Sequence, residues 1–171
     1  MEMNFCRRCG SPLAAGSEES YHCSNGHTLY ANPAPAVGIF FVTPDNHVLL
    51  AVRGIEPFKG KLDAIGGFVD IDETFEQAVK REVLEELGLS PDQYDEPEYL
   101  YSGTGPYPYD GEERMIIGTM FWSRLKPGVV PTPNDDVAGI QYVSLDSFDF
   151  SEVRNADAQS GLRKLQQRLF Q

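Results

Sequence analysis

Positive charge is scarce in this chain. Fourteen Lys and Arg stand against 26 Asp and Glu in 171 residues, a formal charge of −12. That balance argues against nucleic acid as the main partner, since non-specific affinity for it comes from a broad basic face. A small anionic ligand is not excluded, because a bound cation inverts the local field. Cysteine is scarce too. Three cysteines cannot close a disulfide framework, and a reducing, cytoplasmic setting is expected, where cysteine pairs hold metal more often than they cross-link. Long apolar runs are missing: the most apolar stretch, Ala34 to Val42, falls far short of the ~18 residues of a membrane span. The first residues show no signal-peptide pattern, so no membrane partner is expected. At ~100–200 residues per domain the length suits one domain with a small appendage, and 41% hydrophobic residues suffice for a core.

The chain changes texture near residue 34. The first segment, 1–33, holds all three cysteines and two of the three histidines among Gly, Ser, Asn and Pro. Residues 34–171 read as the main domain. Ala36–Val42 is a buried-strand run, Pro44-Asp45-Asn46 a turn, and His47–Arg53 a second strand. Leu62–Ile65 leads into Gly66-Gly67. Asp72 to Leu87 reads as helix, with Thr74 and Gln77 as a capping box and Gly88 as the C-terminal glycine. Strands are expected at Glu98–Ser102, Arg114–Leu125 and Gly139–Val143, with a Gly/Pro/Tyr loop between the first two, and a terminal helix over 160–170. Strands on both sides of one central helix, without regular alternation, indicate an α/β sandwich.

The central helix carries the chemistry. Phe75, Ala78 and Val79 form an apolar stripe, and seven residues later the same face bears Glu82, Glu85 and Glu86. Three carboxylates within about a turn repel one another unless a cation lies among them, and a hard divalent ion is the natural solution. Mg²⁺ or Mn²⁺ on oxygen ligands suits phosphate chemistry. A solvated acidic face is the plain alternative for such a helix, but the acids here continue the apolar stripe instead of opposing it.

Gly67, Glu73, Arg81, Glu82, Val83, Glu85, Glu86, Gly88 and Leu89 spell G-x5-E-x7-R-E-U-x-E-E-x-G-U, where U is a bulky aliphatic. This resembles the signature of the Nudix hydrolases at every fixed position. The resemblance implies a Nudix-type α/β/α sandwich with a mixed sheet. It also implies hydrolysis of a nucleoside diphosphate linked to another moiety. By the same resemblance Glu82 and Glu86 are the principal ligands of the catalytic Mg²⁺ or Mn²⁺, Glu85 is a third ligand or takes part in activating the water, and Glu73 pairs with Arg81 to orient the set. Gly66 and Gly67 bring the backbone close, with Gly67 counted among the metal-site residues. Asp136, from a later loop, stands where the family commonly has Glu and is counted with the metal ligands, a shorter side chain that suits ligation through water; a turn acid capping the loop is the plain alternative. Two positions depart from the family pattern: Asp72 where a Gly is usual, expected to accept a glycine-like backbone angle, and Leu62 where a Trp is common.

Cys6-x2-Cys9 followed by Cys23-x3-His27 has the spacing of a Cys3His zinc site. His22 is a rival fourth ligand, and three buried thiols are the plain alternative. The segment resembles the small zinc ribbon that precedes some Nudix domains, the NADH pyrophosphatases among them, although four cysteines are usual there. A structural role, including a homodimer contact, is implied. Substrate contacts are thinner. Gly105-Pro106-Tyr107-Pro108-Tyr109 is similar to the Pro-Trp-Pro-Phe-type motif of those enzymes, so Tyr107 and Tyr109 are candidates to stack on a base or nicotinamide. Arg53 is the foremost candidate to meet phosphate oxygens, ahead of Lys59 and Lys61. The leading substrates are NAD(H) and ADP-ribose-like dinucleotides. The competing reading is a non-catalytic nucleotide-sensing module on the same fold.

Overall fold

The computed structural model describes residues 3–16, 20–154 and 156–170. The chain divides into two compact units, Met1–Ala34 with Pro106–Ile116, and Pro35–Gly105 with Ile117–Gln171. The hairpin end at 106–116, which the sequence boundary assigns to 34–171, groups with the first unit.

In the first unit, β1 (Leu13–Ala15), β2 (Ser20–Cys23) and β3 (Thr28–Tyr30) form a small antiparallel sheet. Its apolar core is slight: Cys6, Cys23 and Leu29 are buried, with Met3 and Leu13 packed against them.

The second unit is built on β4 (Ala34–Val42) and β5 (Val48–Arg53), joined through a tight turn, with β6 (Leu62–Asp63) and β9 (Val137–Val143) both paired antiparallel to β5. β8 (Glu112–Arg124) lies beside β4, and β7 (Glu98–Tyr109) beside β8. The alternation of side chains across a strand decides the layers. Val37, Ile39, Phe41, Leu49 and Ala51 point to one face and pack on Ala78, Val79, Val83 and Leu87 of α1 (Phe75–Leu87). Phe40, Val42, Val48 and Leu50 point to the other and pack on Ala158, Leu162 and Leu165 of α2 (Ala156–Phe170). β4 is apolar throughout because helices cover both of its faces. The expected α/β/α sandwich is therefore the observed one.

Two expectations are corrected. The Gly/Pro/Tyr stretch is no loop: β7 continues to Tyr109 and turns into β8 through two residues, Asp110 (φ 51°) and Gly111 (φ 76°). Positive φ at both turn residues matches the right-handed twist of a hairpin. The C-terminal helix begins at Ala156, four residues earlier than the apolar stripe indicated. Among the described residues, no helix is long and apolar enough to cross a membrane.

Candidate active site and metal cluster

α1 forms where its ends are specified. Thr74 Oγ1 accepts from the Gln77 N–H at 3.3 Å and Gln77 Oε1 accepts from the Thr74 N–H at 2.8 Å, the reciprocal capping box. Gly88 closes the helix in a left-handed conformation at φ 64°, donating to the Leu84 carbonyl. Along the core-facing stripe Ala78, Val79, Glu82, Val83, Glu86 and Leu87 are all buried. Two of the three expected acids therefore occupy core positions. Glu85, a hundred degrees round the helix from Glu86, is half exposed.

Arg81 lies at the centre of the acids. Its guanidinium grips Glu73 in two bonds, Nε to Oε1 at 2.8 Å and NH2 to Oε2 at 3.0 Å. It also donates to Glu82 Oε1 at 2.7 Å, Glu85 Oε2 at 2.9 Å and the Phe68 carbonyl at 3.0 Å. A planar fork with five donors suits this task, and lysine does not. Arg81 holds the Glu73 carboxyl below its usual range, and its own pKa is pushed further up, first by Glu73.

Glu86 is differently placed. Its Oε2 accepts from the Gly66 N–H at 2.9 Å, while burial and then the charges of Glu82, Asp63 and Asp136 push its pKa up to about 8. Burial raises Glu82 as well, against the opposing pull of Arg81. Glu82, Glu86 and Asp136, each a carboxyl that burial raises, offer oxygen donors throughout, the donor set a hard divalent cation satisfies. The residues present thus fit the expected Mg²⁺ or Mn²⁺.

The two glycines divide the labour differently from expectation. The glycine-only conformation is at Gly66 (φ 145°), where a Cβ would come within 2.2 Å of the Val37 carbonyl oxygen. At Gly67 a Cβ would instead meet Glu82 Oε1 at 2.5 Å, so Gly67 provides room for a carboxylate. Gly66→Ala is expected to cost ~3 kcal/mol or more of stability, read from the urea midpoint. Gly67→Ala is expected to leave that midpoint nearly unchanged and to lower turnover ~10²-fold by displacing Glu82. Asp72 does not take the glycine-like angle expected of it; among the described non-glycine residues only Asn46, Phe58, Asp110 and Asp135 have positive φ. The turn before α1 closes instead by bonds from Glu73 N–H to the Asp70 carbonyl and from Asp70 N–H to Glu73 Oε2, each 3.2 Å. Leu62, in place of the family's Trp, is buried in the α2-side core.

The loop carrying Asp136 is fastened to the end of α1. Thr132 N–H donates to the Leu87 carbonyl and Asn134 N–H to the Glu86 carbonyl, both at 2.9 Å, and Asn134 Nδ2 donates to the Glu85 carbonyl at 3.2 Å. Since α1 has no basic residue in its last turn, these bonds satisfy carbonyls the helix leaves over. Burial and Asp135 raise the Asp136 carboxyl, with Arg53 opposing.

Arg53 is engaged within the protein, donating to the Pro57 carbonyl at 2.8 Å and to Asp63 Oδ2 at 3.2 Å. Asp63, which sequence reasoning passed over, is a buried acid on β6. Tyr107 and Tyr109 lie on the part of β7 that belongs to the first unit, and the glutamates belong to the second. Arg114 packs over the Tyr109 ring, 4.8 Å from its centroid.

In the first unit, the ligand atoms of Cys6, Cys9, Cys23 and His27 all lie within 4.8 Å of one another, the one such group among the described residues. Two turns build it: Gly10 N–H donates to the Cys6 carbonyl at 2.8 Å and Gly26 N–H to the Cys23 carbonyl at 3.0 Å, each glycine at positive φ. The backbone N–H of Ser11, first among several donors, lowers the Cys9 thiol to about 5. His22, the rival ligand, pairs with Thr28 Oγ1 at 3.0 Å and is outside the group. The cluster fits a structural metal.

Comparison with known proteins agrees with this geometry. The NUDIX domain model matches residues 32–166. An NAD-capped RNA hydrolase NudC from Haemophilus influenzae is 30% identical over 148 residues, covering 83% of this chain and 52% of that protein. An ADP-ribose pyrophosphatase from Methanocaldococcus jannaschii is 50% identical over 66 residues, 38% of each chain. Against these curated relatives the chain spans about half their length or less. The crystal structure of a NUDIX hydrolase from Nitrosomonas europaea shares the fold, with a TM-score of 0.69 at 22% identity over 99% of this chain and 94% of that one. The signature read from the helix and the family match over most of the length coincide: this chain belongs to the NUDIX domain family.

Proposed function

We propose that the chain is a Mg²⁺- or Mn²⁺-dependent pyrophosphohydrolase. It cleaves the phosphoric anhydride bond of a nucleoside diphosphate joined to another moiety, with NAD(H) and ADP-ribose-like dinucleotides as the leading substrates. The observation that carries this reading is the burial of Glu82 and Glu86 on the core stripe of α1, with Glu86 backed by other acids. An uncompensated buried carboxylate is costly, and a structural role alone would be met by an apolar side chain. Relatives named for NAD-capped RNA and for ADP-ribose support the substrate class.

A divalent cation in this position supplies charge neutralisation at the diphosphate and a more acidic attacking water. The chain's own part is positional. Glu73 and Phe68 fix Arg81, Arg81 holds Glu82 and Glu85, and the Gly66 N–H orients Glu86. Asp136 adds a further carboxylate from a loop fastened to the same helix.

The first unit is assigned a structural Zn²⁺ by the same reasoning. With Zn–S of about 2.3 Å and Zn–N of about 2.0–2.1 Å, a tetrahedral ion requires S···S near 3.8 Å and S···N near 3.6 Å. Cys9 and Cys23 sulfurs are 3.8 Å apart, and His27 Nδ1 is 3.6 Å from both Cys6 and Cys23. Three cysteines without a disulfide suit a reducing, cytoplasmic setting.

The test is a panel of NADH, NAD, ADP-ribose, FAD, diadenosine polyphosphates and nucleoside triphosphates, each with Mg²⁺ or Mn²⁺. Hydrolysis of the dinucleotides at the diphosphate, lost without the divalent ion, is the expected result. Nucleotide binding without turnover of any member would make the protein a sensor.

A further inference from the structure

Where β5 and β6 end, they share a buried ionic group that the reaction outlined above leaves unused. The Asp63 carboxylate, 6% exposed, accepts from Arg53 at 3.2 Å and from the Ala64 N–H at 2.8 Å, and is ion-paired with Arg154 Nε at 2.5 Å; both arginines are 16% exposed. Arg53 is brought to it by an irregularity in the β5–β9 pairing between Val52 and Arg53, and such bulges re-aim side chains. The same arginine holds the Pro57 carbonyl, and its own backbone bonds to Lys61 and Gly60 close the loop that follows. The next residue, Gly54, donates to the Asp136 carbonyl at 2.7 Å, and a Cβ there would come within 2.9 Å of that oxygen.

Three loops are therefore tied at Arg53 and Gly54: residues 54–61, the Ala64–Gly67 turn that follows Asp63, and the Asn134–Asp136 turn. The last two both end at Glu86. Gly66, three residues beyond Asp63, donates to Glu86 Oε2, and the charges of Asp63 and Asp136 both reach Glu86. We propose that Arg53 is a positioning residue: through Asp63, and through the Gly54–Asp136 bond, it sets the Gly66 N–H and the Asp136 carboxylate around Glu86, and it does not clamp substrate phosphate. The inference rests on the reading of Glu86 as a divalent-metal ligand.

Three roles for Arg53 predict different numbers. A phosphate clamp raises KM and leaves cation affinity alone. A simple source of positive charge makes Arg53→Ala tighten cation binding at Glu86, while Asp63→Asn loosens it. A positioning role makes both substitutions loosen it, and the double variant loosens it by less than the product of the two, because the two residues share the Arg53–Asp63 bond.

The experiment measures Mn²⁺ affinity without substrate, by electron paramagnetic resonance of free Mn²⁺, and kcat and KM for ADP-ribose. It compares wild type, Arg53→Ala, Asp63→Asn, the double variant and Arg53→Lys. Arg53→Ala leaves Asp63 with Arg154 and the Ala64 N–H, so the fold is expected to persist, which melting curves check. Each single variant is expected to weaken Mn²⁺ binding about tenfold and the double by less than the product of the two, with kcat falling by a similar factor and KM changing less than about threefold. Arg53→Lys keeps a charge but cannot hold Pro57 and Asp63 together, so it falls between wild type and Arg53→Ala, and it carries the test should the alanine variant not fold. Unchanged or tighter Mn²⁺ binding in Arg53→Ala or Arg53→Lys, with a raised KM, overturns the inference and leaves the metal reading intact. Absence of Mn²⁺ binding in the wild type overturns both.

Discussion

Glu86→Gln is expected to lower kcat roughly a thousandfold, about 4 kcal/mol of transition-state stabilisation, while making the fold more stable above neutral pH when no Mg²⁺ or Mn²⁺ is present. The two effects have one origin. Glu86 is buried beside Glu82, Asp63 and Asp136, with its pKa raised to about 8. Between its ordinary value near 4.5 and about 8 the folded chain keeps a proton that the unfolded chain releases, so folding stability falls as pH rises through that window. At pH 8 the loss is on the order of 4 kcal/mol, and glutamine, nearly isosteric and uncharged, removes it. Urea midpoints of wild type and variant at pH 5 and pH 8, in protein dialysed free of Mg²⁺ and Mn²⁺, should converge at the lower pH and separate at the higher. Adding Mg²⁺ should then stabilise the wild type alone. Wild-type turnover in the variant, or no difference between the two pH values, would sink the assignment of Glu86.

Removal of zinc should produce the largest structural change. Among the described residues the apolar cluster of the cysteine segment is slight, Cys6, Cys23 and Leu29 with two further apolar side chains against them, and β1–β3 are three or four residues long. So little apolar area cannot offset the ordering of some thirty residues. In such segments metal binding is the folding free energy, with apparent values of ~10–16 kcal/mol. The purified chain should carry one zinc per molecule by elemental analysis. Stripping it, or replacing Cys23 by Ser, should abolish amide-exchange protection in β1–β3 and leave α1, β4 and β5 protected. Protection in β2 that survives metal removal would refute the structural role.

Much of this site was legible in the chain because it is written locally. Thr74, Gln77 and Gly88 mark the ends of α1 within one helical stretch, and the step from Val79 to Glu82 and Glu86 shows acids in core register at period 3.6. The Cys and His spacings are equally local. What escaped depends on distant partners. Asp63 reads as a polar residue in a short apolar stretch, and its arginines are ten and ninety-one positions away. Arg53 reads as a cation for phosphate oxygens because nothing near it in sequence shows Asp63. The long β7 was hidden by its Gly and Pro residues, which weaken a strand assignment, although Asp110-Gly111 offered a hairpin signal. Glu85 reads as part of the apolar face because it falls seven residues after Ala78, yet its carboxylate is half exposed and bonded to Arg81.

The bonds from Thr132 and Asn134 to the last carbonyls of α1 bear on how this scaffold can be redesigned. A loop transplanted from another enzyme to alter what is hydrolysed would replace 132–136 as a block. The graft must present two backbone N–H groups and one side-chain amide at the same spacing, or the helix that holds Glu82 and Glu86 frays from its far end. Diversification is therefore best directed at residues 126–131, upstream of the fastened turn, where insertions leave the junction with the helix untouched.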